Sequence, residues 1–372
     1  MVGSVSGELK VLECALLCHV LSMPRPIRCI INQSAVAHNL AIAKSLGGQA
    51  QLYAVCKADA YGHGLDNVLP AFAQADGLAM IEIEQAVKAR QLAWTKPILL
   101  LEGVYDAEDV RTCEQYDLSV VLHHRSQLSL LNRPLAVFLK INTGMNRLGF
   151  SMAEAGELLH RLQTRCLSLT LMSHFARADE NMAVLPVYQS MQALSRLWRL
   201  PMSLCNSAAL YRGLKTDIGR PGIMLYGSSP IVEKAAKQLD LRAAMTLEAK
   251  IIGLQELEAG QEMGYGGTYT VTRKSRLAIV ACGYADGYPR SAGNRAHVVL
   301  HGRRLPLVGR VSMDKLCIDV TDCAQAGFGD WVELWGPNMP VDEVAAAADT
   351  IAYELLTAVH ARVVKMLSTQ LK

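Results

Sequence analysis

The chain has 372 residues, of which 51% are hydrophobic and 19% are charged, and its formal net charge is +3. This length accommodates two domains, and the composition excludes a disordered chain because a large apolar core can form. The lysines and arginines are scattered, and no basic patch interleaved with aromatic residues indicates nucleic acid as a partner.

The N-terminal residues 11–23 form an apolar stretch that is short and interrupted by Glu13 and His19. A stretch of this kind does not span a bilayer, so we predict no membrane association. We interpret residues 1–23 as an N-terminal extension of uncertain status, a non-native or over-long start, with a weak secretory signal as the alternative.

Short apolar runs then alternate with helix-like segments such as residues 83–92 and 152–163. Eight such units predict an α/β fold with a (β/α)8 TIM-like barrel, over residues 24–240; a doubly wound sheet is the alternative. The predicted strands are residues 52–56, 77–81, 98–101, 118–122, 136–141, 167–172, 202–205 and a last one near 216–218.

Polar side chains lie at or just after the ends of several predicted strands. They are Lys57, Lys140, His174, Asn206, Ser207 and Arg220. In a (β/α)8 barrel the carboxyl ends of the strands form the catalytic face. The pattern therefore predicts an active site at that end of the barrel.

The sequence changes character after about residue 239. Short β-like runs at residues 246–254, 276–281, 296–300, 305–311, 316–320 and 331–335 are separated by Gly, Asn and Asp turns. They predict a C-terminal mostly-β domain over residues 241–372, which ends in a helix-like segment at 341–356 and a final short strand.

The ten cysteines occur without a C-x-x-C pair or zinc-like spacing, mostly within apolar runs. This usage is typical of buried, reduced thiols in a cytoplasmic protein. We therefore predict a cytoplasmic chain that has no metal site.

Lys57 is placed unusually, directly after a run that is apolar enough to be a buried strand. Partial burial lowers the pKa of a lysine, and only the neutral amine attacks a carbonyl to form a Schiff base. A lysine that snorkels at a strand end is the simpler interpretation of the same residues.

The segment KADAYGHG, which contains Lys57, resembles the pyridoxal-phosphate lysine segment of the alanine racemases. Four further segments resemble the same family in the same order: KINTGMNRLGF, SHFARAD, GRPGIMLYG with GYADGYPR, and GRVSMD. The resemblance covers nearly all of the chain from about Pro24. It also implies that a first strand near residues 27–31 joins the C-terminal domain.

The resemblance implies a cofactor, pyridoxal 5'-phosphate, that is bound covalently by Lys57. It places the phosphate against Tyr61, Ser207, Tyr353 and the main-chain N–H groups of Gly222 and Ile223. Asp59 stands where the family commonly has asparagine, and we assign it no role. A rim aromatic is the simpler interpretation of Tyr61, and ordinary core packing that of Tyr353.

The resemblance places Arg220 against the pyridine nitrogen of the cofactor. An arginine keeps its proton at physiological pH, so its partner nitrogen stays unprotonated and the ring is a weaker electron sink. Reprotonation at Cα is then favoured over transamination. A salt bridge at the barrel rim is the simpler interpretation of Arg220.

Racemisation needs one proton-transfer group on each face of the substrate. Lys57 serves one face, and Tyr284 of GYADGYPR resembles the family's second base, supplied by the partner subunit of a homodimer. His174 is expected to hydrogen-bond this tyrosine and to contact Arg220. Met313 and Asp314 are expected at the substrate carboxylate, again from the partner.

Arg147 is expected to bind the substrate carboxylate and the phenolic oxygen of the cofactor. Lys140 matches a lysine that in this family can be carbamylated, which would replace a cation beside Arg147 by an anion. Asn142 replaces the aspartate that is more usual in that segment.

The resemblance thus predicts an alanine racemase, and it implies that the enzyme supplies D-alanine for peptidoglycan. A racemase of broader specificity, for example for serine, is the alternative within the same class. A decarboxylase of related architecture is disfavoured by Arg220. From another class, a non-catalytic carrier of the cofactor would use Lys57 but would have no use for Tyr284.

Overall fold

The computed structural model describes residues 25–370. The N-terminal extension predicted over residues 1–23 lies outside the described residues. Within them, no helix is long and apolar enough to cross a membrane. The eight cysteines of this part of the chain are all free thiols, and most of them are buried.

Eight parallel strands form a nearly closed barrel in the order β8-β7-β6-β5-β4-β3-β2-β9, which confirms the predicted fold class. The sheet ends approach each other where the Asp217 N–H donates to the Met202 carbonyl oxygen (3.0 Å). The strands are β2 Gln51–Val55, β3 Gly77–Met80, β4 Ile98–Leu100, β5 Ser119–Leu122, β6 Ala136–Lys140, β7 Ser168–Met172, β8 Met202–Ser203 and β9 Ile218–Gly219.

Right-handed helices follow most strands of the barrel, and several of them begin at a residue whose side chain caps the helix. Ser151 and Glu154 form a reciprocal capping box at the start of α6, for example, and satisfy N–H groups that the helix itself leaves unbonded. The helices are α1 Gln33–Gly47, α2 Leu65–Val68, α3 Ile83–Gln91, α4 Ala107–Gln115, α5 Arg125–Leu130, α6 Met152–Leu162, α7 Leu185–Trp198, α8 Ser207–Tyr211, α9 Val341–Ala347 and α10 Ala352–Ala358.

A second sheet follows the barrel, in the order β13-β16-β15-β14-β17-β10-β1-β18. The N-terminal strand β1 Ile27–Ile31 belongs to this sheet, because it pairs antiparallel with β10 and parallel with β18. The remaining strands are β10 Met245–Leu257, β11 Glu262–Met263, β12 Tyr269–Thr270, β13 Ser275–Val280, β14 His297–Leu300, β15 Arg303–Val308, β16 Leu316–Asp319, β17 Trp331–Trp335 and β18 Val364–Leu367.

Two details of the C-terminal region differ from the sequence prediction. The helix-like segment at 341–356 is two helices, α9 and α10, because Asp349 adopts a left-handed conformation (φ 54°) that no right-handed helix continues through. The two-stranded hairpin β11–β12 was not predicted, since its strands have only two residues each.

Candidate active site

A cleft of about 530 Å³ opens at the carboxyl ends of the barrel strands. Eleven of the residues singled out in the sequence line it together, although they come from five barrel strands and from α10. They are Lys57, Tyr61, Lys140, Arg147, His174, Asn206, Ser207, Arg220, Gly222, Ile223 and Tyr353. Tyr284, Met313 and Asp314 do not line this cleft.

Lys57 follows β2 and opens a turn of unusual handedness. The next four residues, 58–61, are not glycines, yet all have φ between 51° and 55°. A left-handed conformation costs roughly 1–2 kcal/mol for each such residue. The turn is held by main-chain hydrogen bonds, Ala60 N–H to Cys56 O and Gly62 N–H to Ala58 O, both 2.9 Å. Strain of this kind is typical of functional sites, where the surrounding structure enforces it.

Arg220 follows β9 and is 4% exposed. Its Nη2 donates to the Ser173 carbonyl oxygen (2.8 Å), and its Nη1 donates to the Ser203 hydroxyl. In the described part of the chain no carboxylate forms an ion pair with it. Burial lowers the pKa of Arg220 to about 10, which still leaves the guanidinium charged at neutral pH. A buried guanidinium without an acidic partner offers its remaining N–H groups to an acceptor in the cleft.

The cleft also contains hydrogen-bond donors grouped around Gly222, two residues after Arg220. The Gly222 N–H donates to the Ser207 hydroxyl (2.8 Å), and Ser207 is the first residue of α8. A Cβ atom at Gly222 would lie 2.5 Å from the Tyr61 hydroxyl oxygen, so only glycine permits this close approach. The Tyr353 ring lies 5.8 Å from that of Tyr61. Hydroxyl and main-chain N–H donors converging on one point suit a phosphate.

The cleft carries an excess of positive charge, which perturbs its titrating groups. Burial, followed by the charges of Arg147 and Arg220, lowers the pKa of Lys140 to about 8, and this lysine is 7% exposed. Burial and then Arg147 lower the pKa of Lys57. Burial and then Arg220 lower the pKa of His174 to about 3, so its ring is neutral at physiological pH. An excess of cations over carboxylates in a cleft favours an anionic ligand.

Sequence reasoning missed Glu102, a carboxylate among these cations. It lines the cleft two residues after β4, and its charge raises the pKa of both Lys57 and Lys140 against the effect of burial. The Tyr105 hydroxyl donates to its Oε2 (2.6 Å), and the Gln127 side chain donates to its main-chain oxygen (2.9 Å). The rule that found the other residues, a polar side chain at a strand end, would also have indicated this one.

Tyr284 and Met313 lie side by side on the surface of the C-terminal domain. Their segments are joined by main-chain hydrogen bonds, Tyr284 N–H to Ser312 O and Ala285 N–H to Met313 O, both 3.0 Å. Both side chains are exposed, Tyr284 by 42% and Met313 by 54%. Neither is presented to the cleft of its own chain.

The carboxylate of Asp314 is already engaged. It pairs with Arg25 (3.0 Å) and with Arg362 (2.7 Å), and the hydrogen bond from Arg362 lowers its pKa. The same two arginines pair with Asp286, which is fully buried and accepts from the Gly283 N–H (2.9 Å). This ionic network holds the segments that carry Tyr284 and Met313. Its arginines come from the two ends of the described chain.

Sequence reasoning also passed over Tyr265, which lies between β11 and β12. It is 74% exposed, and the glycines around it, Gly264, Gly266 and Gly267, all have positive φ. Glycine adopts this conformation at little steric cost. A tyrosine carried on a protruding turn is placed to reach another molecule. Its signal in the sequence is the run Gly-Tyr-Gly-Gly.

The residues that line the cleft fit pyridoxal 5'-phosphate. The donors around Gly222 suit its phosphate, Lys57 suits its aldehyde, and Arg220 suits its ring nitrogen. No observation on the described residues conflicts with that assignment.

Comparison with known proteins agrees with the fold and the cleft. The profile of the alanine racemase N-terminal domain matches residues 31–230, and that of the alanine racemase C-terminal domain matches residues 244–367. An alanine racemase of Nitrosomonas eutropha is 45% identical over 356 residues, which cover 92% of this chain and 98% of that protein.

Solved structures show the same similarity. The biosynthetic alanine racemase of Pseudomonas aeruginosa has a TM-score of 0.88 and 42% identity, over 92% of this chain and 99% of that one. The alanine racemase of Bartonella henselae with covalently bound pyridoxal phosphate has a TM-score of 0.82 and 27% identity, over 92% of this chain and all of that one (100%).

Proposed function

The chain belongs to the alanine racemase family and is a pyridoxal-phosphate-dependent racemase; from this premise we propose that it interconverts L-alanine and D-alanine by a two-base mechanism. The observation that carries the proposal is the pair formed by Lys57 and Arg220. One is a lysine of lowered pKa and the other a buried arginine without a carboxylate, and both face one cleft.

When bound, the cofactor supplies the electron sink that makes the Cα proton of the substrate acidic. Arg220 would lie against its ring nitrogen and, because the guanidinium keeps its proton, would leave that nitrogen unprotonated. The electron sink would therefore be weak, and return of the proton to Cα would be favoured. This choice of residue favours racemisation over transamination or decarboxylation.

The phosphate is held by Tyr61, Tyr353, Ser207 and the N–H groups of Gly222 and Ile223. These hydroxyl and N–H donors are uncharged, so no carboxylate is needed nearby to balance them. A main-chain cradle also binds an anion without rearrangement. Burial raises the pKa of Tyr61, to a value far above neutral pH, so its hydroxyl stays protonated and donates.

Lys57 moves the proton on one face of the substrate. We assign the other face to a tyrosine from the partner subunit of a homodimer, and Tyr284 is the residue that the sequence predicts. Tyr265 competes for this role, since it is more exposed, 74% against 42%, and sits on a protruding turn. A side chain that acts in the active site of a second subunit has to project from the surface of its own subunit. His174, which is neutral, is placed to accept a hydrogen bond from the incoming hydroxyl.

The substrate carboxylate is bound by Arg147, which lines the cleft and is exposed there. A guanidinium binds a carboxylate through two parallel hydrogen bonds. Met313 of the partner contributes its main-chain N–H, as the sequence predicts. Asp314 remains a predicted member of this site; its carboxylate already serves Arg25 and Arg362, so its contribution is to hold the Met313 segment.

Lys140 is carbamylated in this proposal. A pKa of about 8 leaves an appreciable fraction of the amine neutral, and only the neutral amine adds to carbon dioxide. The resulting anion relieves the repulsion between Lys140 and Arg147 and orients the arginine. The enzyme acts in the cytoplasm, which the free thiols of the described residues support, and supplies D-alanine for peptidoglycan.

A direct assay tests the proposal. Purified protein with added cofactor is incubated with a panel of L-amino acids, and the D-enantiomers are measured by chiral chromatography. Production of D-alanine in preference to other D-amino acids, and its loss in Lys57→Ala, is the expected result. Equal production of D-serine would indicate the broader racemase, and cofactor binding without any D-enantiomer would indicate a carrier.

A further inference from the structure

His63 is fully buried behind the left-handed turn of residues 58–61. Its Nδ1 lies 3.0 Å from the carbonyl oxygen of Ala60 and 2.9 Å from that of Tyr61. Carbonyl oxygens only accept, so Nδ1 carries the proton and donates to both. Burial lowers the pKa of His63 to about 4, and the ring is therefore neutral at physiological pH. Its Nε2 has no hydrogen-bond partner in the part of the chain that the structure describes.

The rings around His63 connect it to the cleft. The centroid of Tyr226 lies 4.6 Å from that of His63 and 4.6 Å from that of Tyr61, so Tyr226 packs against both. The Tyr226 hydroxyl donates to the Val55 carbonyl oxygen (2.9 Å), which fixes this group of rings to strand β2. The Tyr61 hydroxyl is thereby brought to Gly222, where a Cβ atom would meet it at 2.5 Å.

The turn itself has little intrinsic preference for its shape. Its residues are Ala58, Asp59, Ala60 and Tyr61, and alanine and tyrosine disfavour a positive φ. The two carbonyl groups bound by Nδ1 are the last two of the strained run. Without this donor the Tyr61 carbonyl group loses its hydrogen bond from the imidazole, whereas the Ala60 carbonyl group keeps the main-chain N–H of His63 (3.1 Å). The turn then loses a restraint that opposes its relaxation.

We propose that His63 is a positioning residue for the cofactor, because its Nδ1–H holds the carbonyl groups of Ala60 and Tyr61 and so aims the Tyr61 hydroxyl at the phosphate. This inference rests on the proposed function, which places the phosphate at Tyr61. It assigns to His63 no contact with the cofactor or the substrate.

Two isosteric substitutions test the role of the nitrogen atom. The side-chain amide of His63→Asn places an N–H near the position of Nδ1, whereas that of His63→Gln places it near Nε2. Each variant of the full-length chain is freed of cofactor, and the dissociation constants of pyridoxal 5'-phosphate and of pyridoxal, which lacks the phosphate, are measured by absorbance.

We expect His63→Gln to weaken the binding of pyridoxal 5'-phosphate about tenfold, which corresponds to one lost hydrogen bond. The dissociation constant of pyridoxal should change by no more than about twofold. We expect His63→Asn to resemble the wild type for both ligands. An equal loss for both ligands in His63→Gln, or no loss for either, overturns the proposal. A wild-type chain that binds neither ligand would instead refute the proposed function.

A second substitution, Ala60→Gly, tests whether strain in the turn causes the loss of affinity. It also distinguishes that cause from misfolding of His63→Gln. Glycine adopts the left-handed conformation readily, so Ala60→Gly relieves part of the strain that His63 restrains. Added to His63→Gln, it is expected to restore most of the affinity for pyridoxal 5'-phosphate. A double variant that folds, as judged by its circular dichroism, but regains none of this affinity contradicts the proposal.

Discussion

The carboxylate of Asp59 lies 3.2 Å from the Nζ of Lys365, and this ion pair joins the turn that follows Lys57 to strand β18 of the second sheet. The other oxygen of Asp59 accepts from the Leu65 N–H (2.9 Å). An aspartate at this position therefore does two things, and an asparagine could do only the second. The pair links the turn after Lys57 to the C-terminal domain.

Asp59→Asn is expected to lower the free energy of unfolding by only about 0–1 kcal/mol, because the pair is half-exposed and screened by solvent. The loss should disappear in high salt, which screens exposed charges. Asp59→Ala removes the Leu65 hydrogen bond as well and should cost more. Urea unfolding at low and high salt measures these values. Equal losses in the two variants would show that the Leu65 hydrogen bond has no separate effect, and a loss in Asp59→Asn that persists in high salt would contradict the ion pair as its cause.

Gly222→Ala is expected to weaken pyridoxal 5'-phosphate at least about tenfold, because the new methyl group would lie 2.5 Å from the Tyr61 hydroxyl and occupy the phosphate cradle. Gly156→Ala is the matched control, since a Cβ atom there meets nothing within 4 Å and lies in helix α6. It should keep the affinity and gain slightly in stability. Titration of the visible absorbance measures both variants; unchanged affinity in Gly222→Ala would remove the cradle from this position.

The two candidate tyrosines are distinguished by Tyr284→Phe and Tyr265→Phe. Loss of the second proton-transfer group should slow exchange of the Cα hydrogen for deuterium unequally for L- and D-alanine, by about 10²-fold or more for the enantiomer it serves. Proton NMR in D₂O measures both rates. The sequence prediction requires this asymmetry in Tyr284→Phe, whereas asymmetry confined to Tyr265→Phe would transfer the role to the more exposed residue.

Sites shared between subunits predict complementation. A mixture of inactive Lys57→Ala with the inactive tyrosine variant should regain activity, because one site of each mixed dimer contains both a lysine and a tyrosine. Racemase activity is followed after subunit exchange, which mass spectrometry verifies on isotopically labelled chains. Exchange without any recovery would contradict a site built from two subunits.

The low pKa of Lys140, about 8, predicts how its modification depends on pH. The neutral fraction of the amine rises as the pH rises through 8, whereas an ordinary exposed lysine stays charged up to about pH 10. With ¹³C-bicarbonate, a carbamate signal in the ¹³C NMR spectrum should therefore grow between about pH 7 and 9. Lys140→Arg is the control, because its guanidinium does not react. A wild-type spectrum without this signal at any pH would exclude the carbamate.

The barrel strands were predictable because strands covered on both faces are continuous apolar runs, and each of the eight predicted runs overlaps an observed strand. The place of Lys57, Lys140 and Arg220 in the cleft was predictable for a related reason. A charged residue at the end of a buried strand contributes little to the fold itself and therefore indicates a functional site. The resemblance to a family supplied the roles that we propose for these residues.

Other features depend on contacts between residues distant in the chain. Nothing in Ala58, Asp59 and Ala60 predicts a left-handed turn, because their preference is right-handed and the turn is stabilised by its surroundings. The partners of Asp314 are Arg25, 289 positions away, and Arg362, 48 positions away, and no local pattern indicates such pairs.

The sequence by itself predicted the chemistry that we propose: a lysine to bind a carbonyl cofactor, an arginine in place of an acid, and donors for a phosphate. Its alternation of apolar runs and helices also determined the barrel, since burial of apolar surface is encoded residue by residue. Only the tertiary structure decided how that chemistry is arranged. It holds residues 58–61 against their intrinsic preference, and among the described residues it gives Arg220 no acidic partner. It also places Tyr284 and Tyr265 on a surface away from their own cleft. The free energy for these arrangements comes from packing and hydrogen bonds between distant segments, which no stretch of the sequence contains alone.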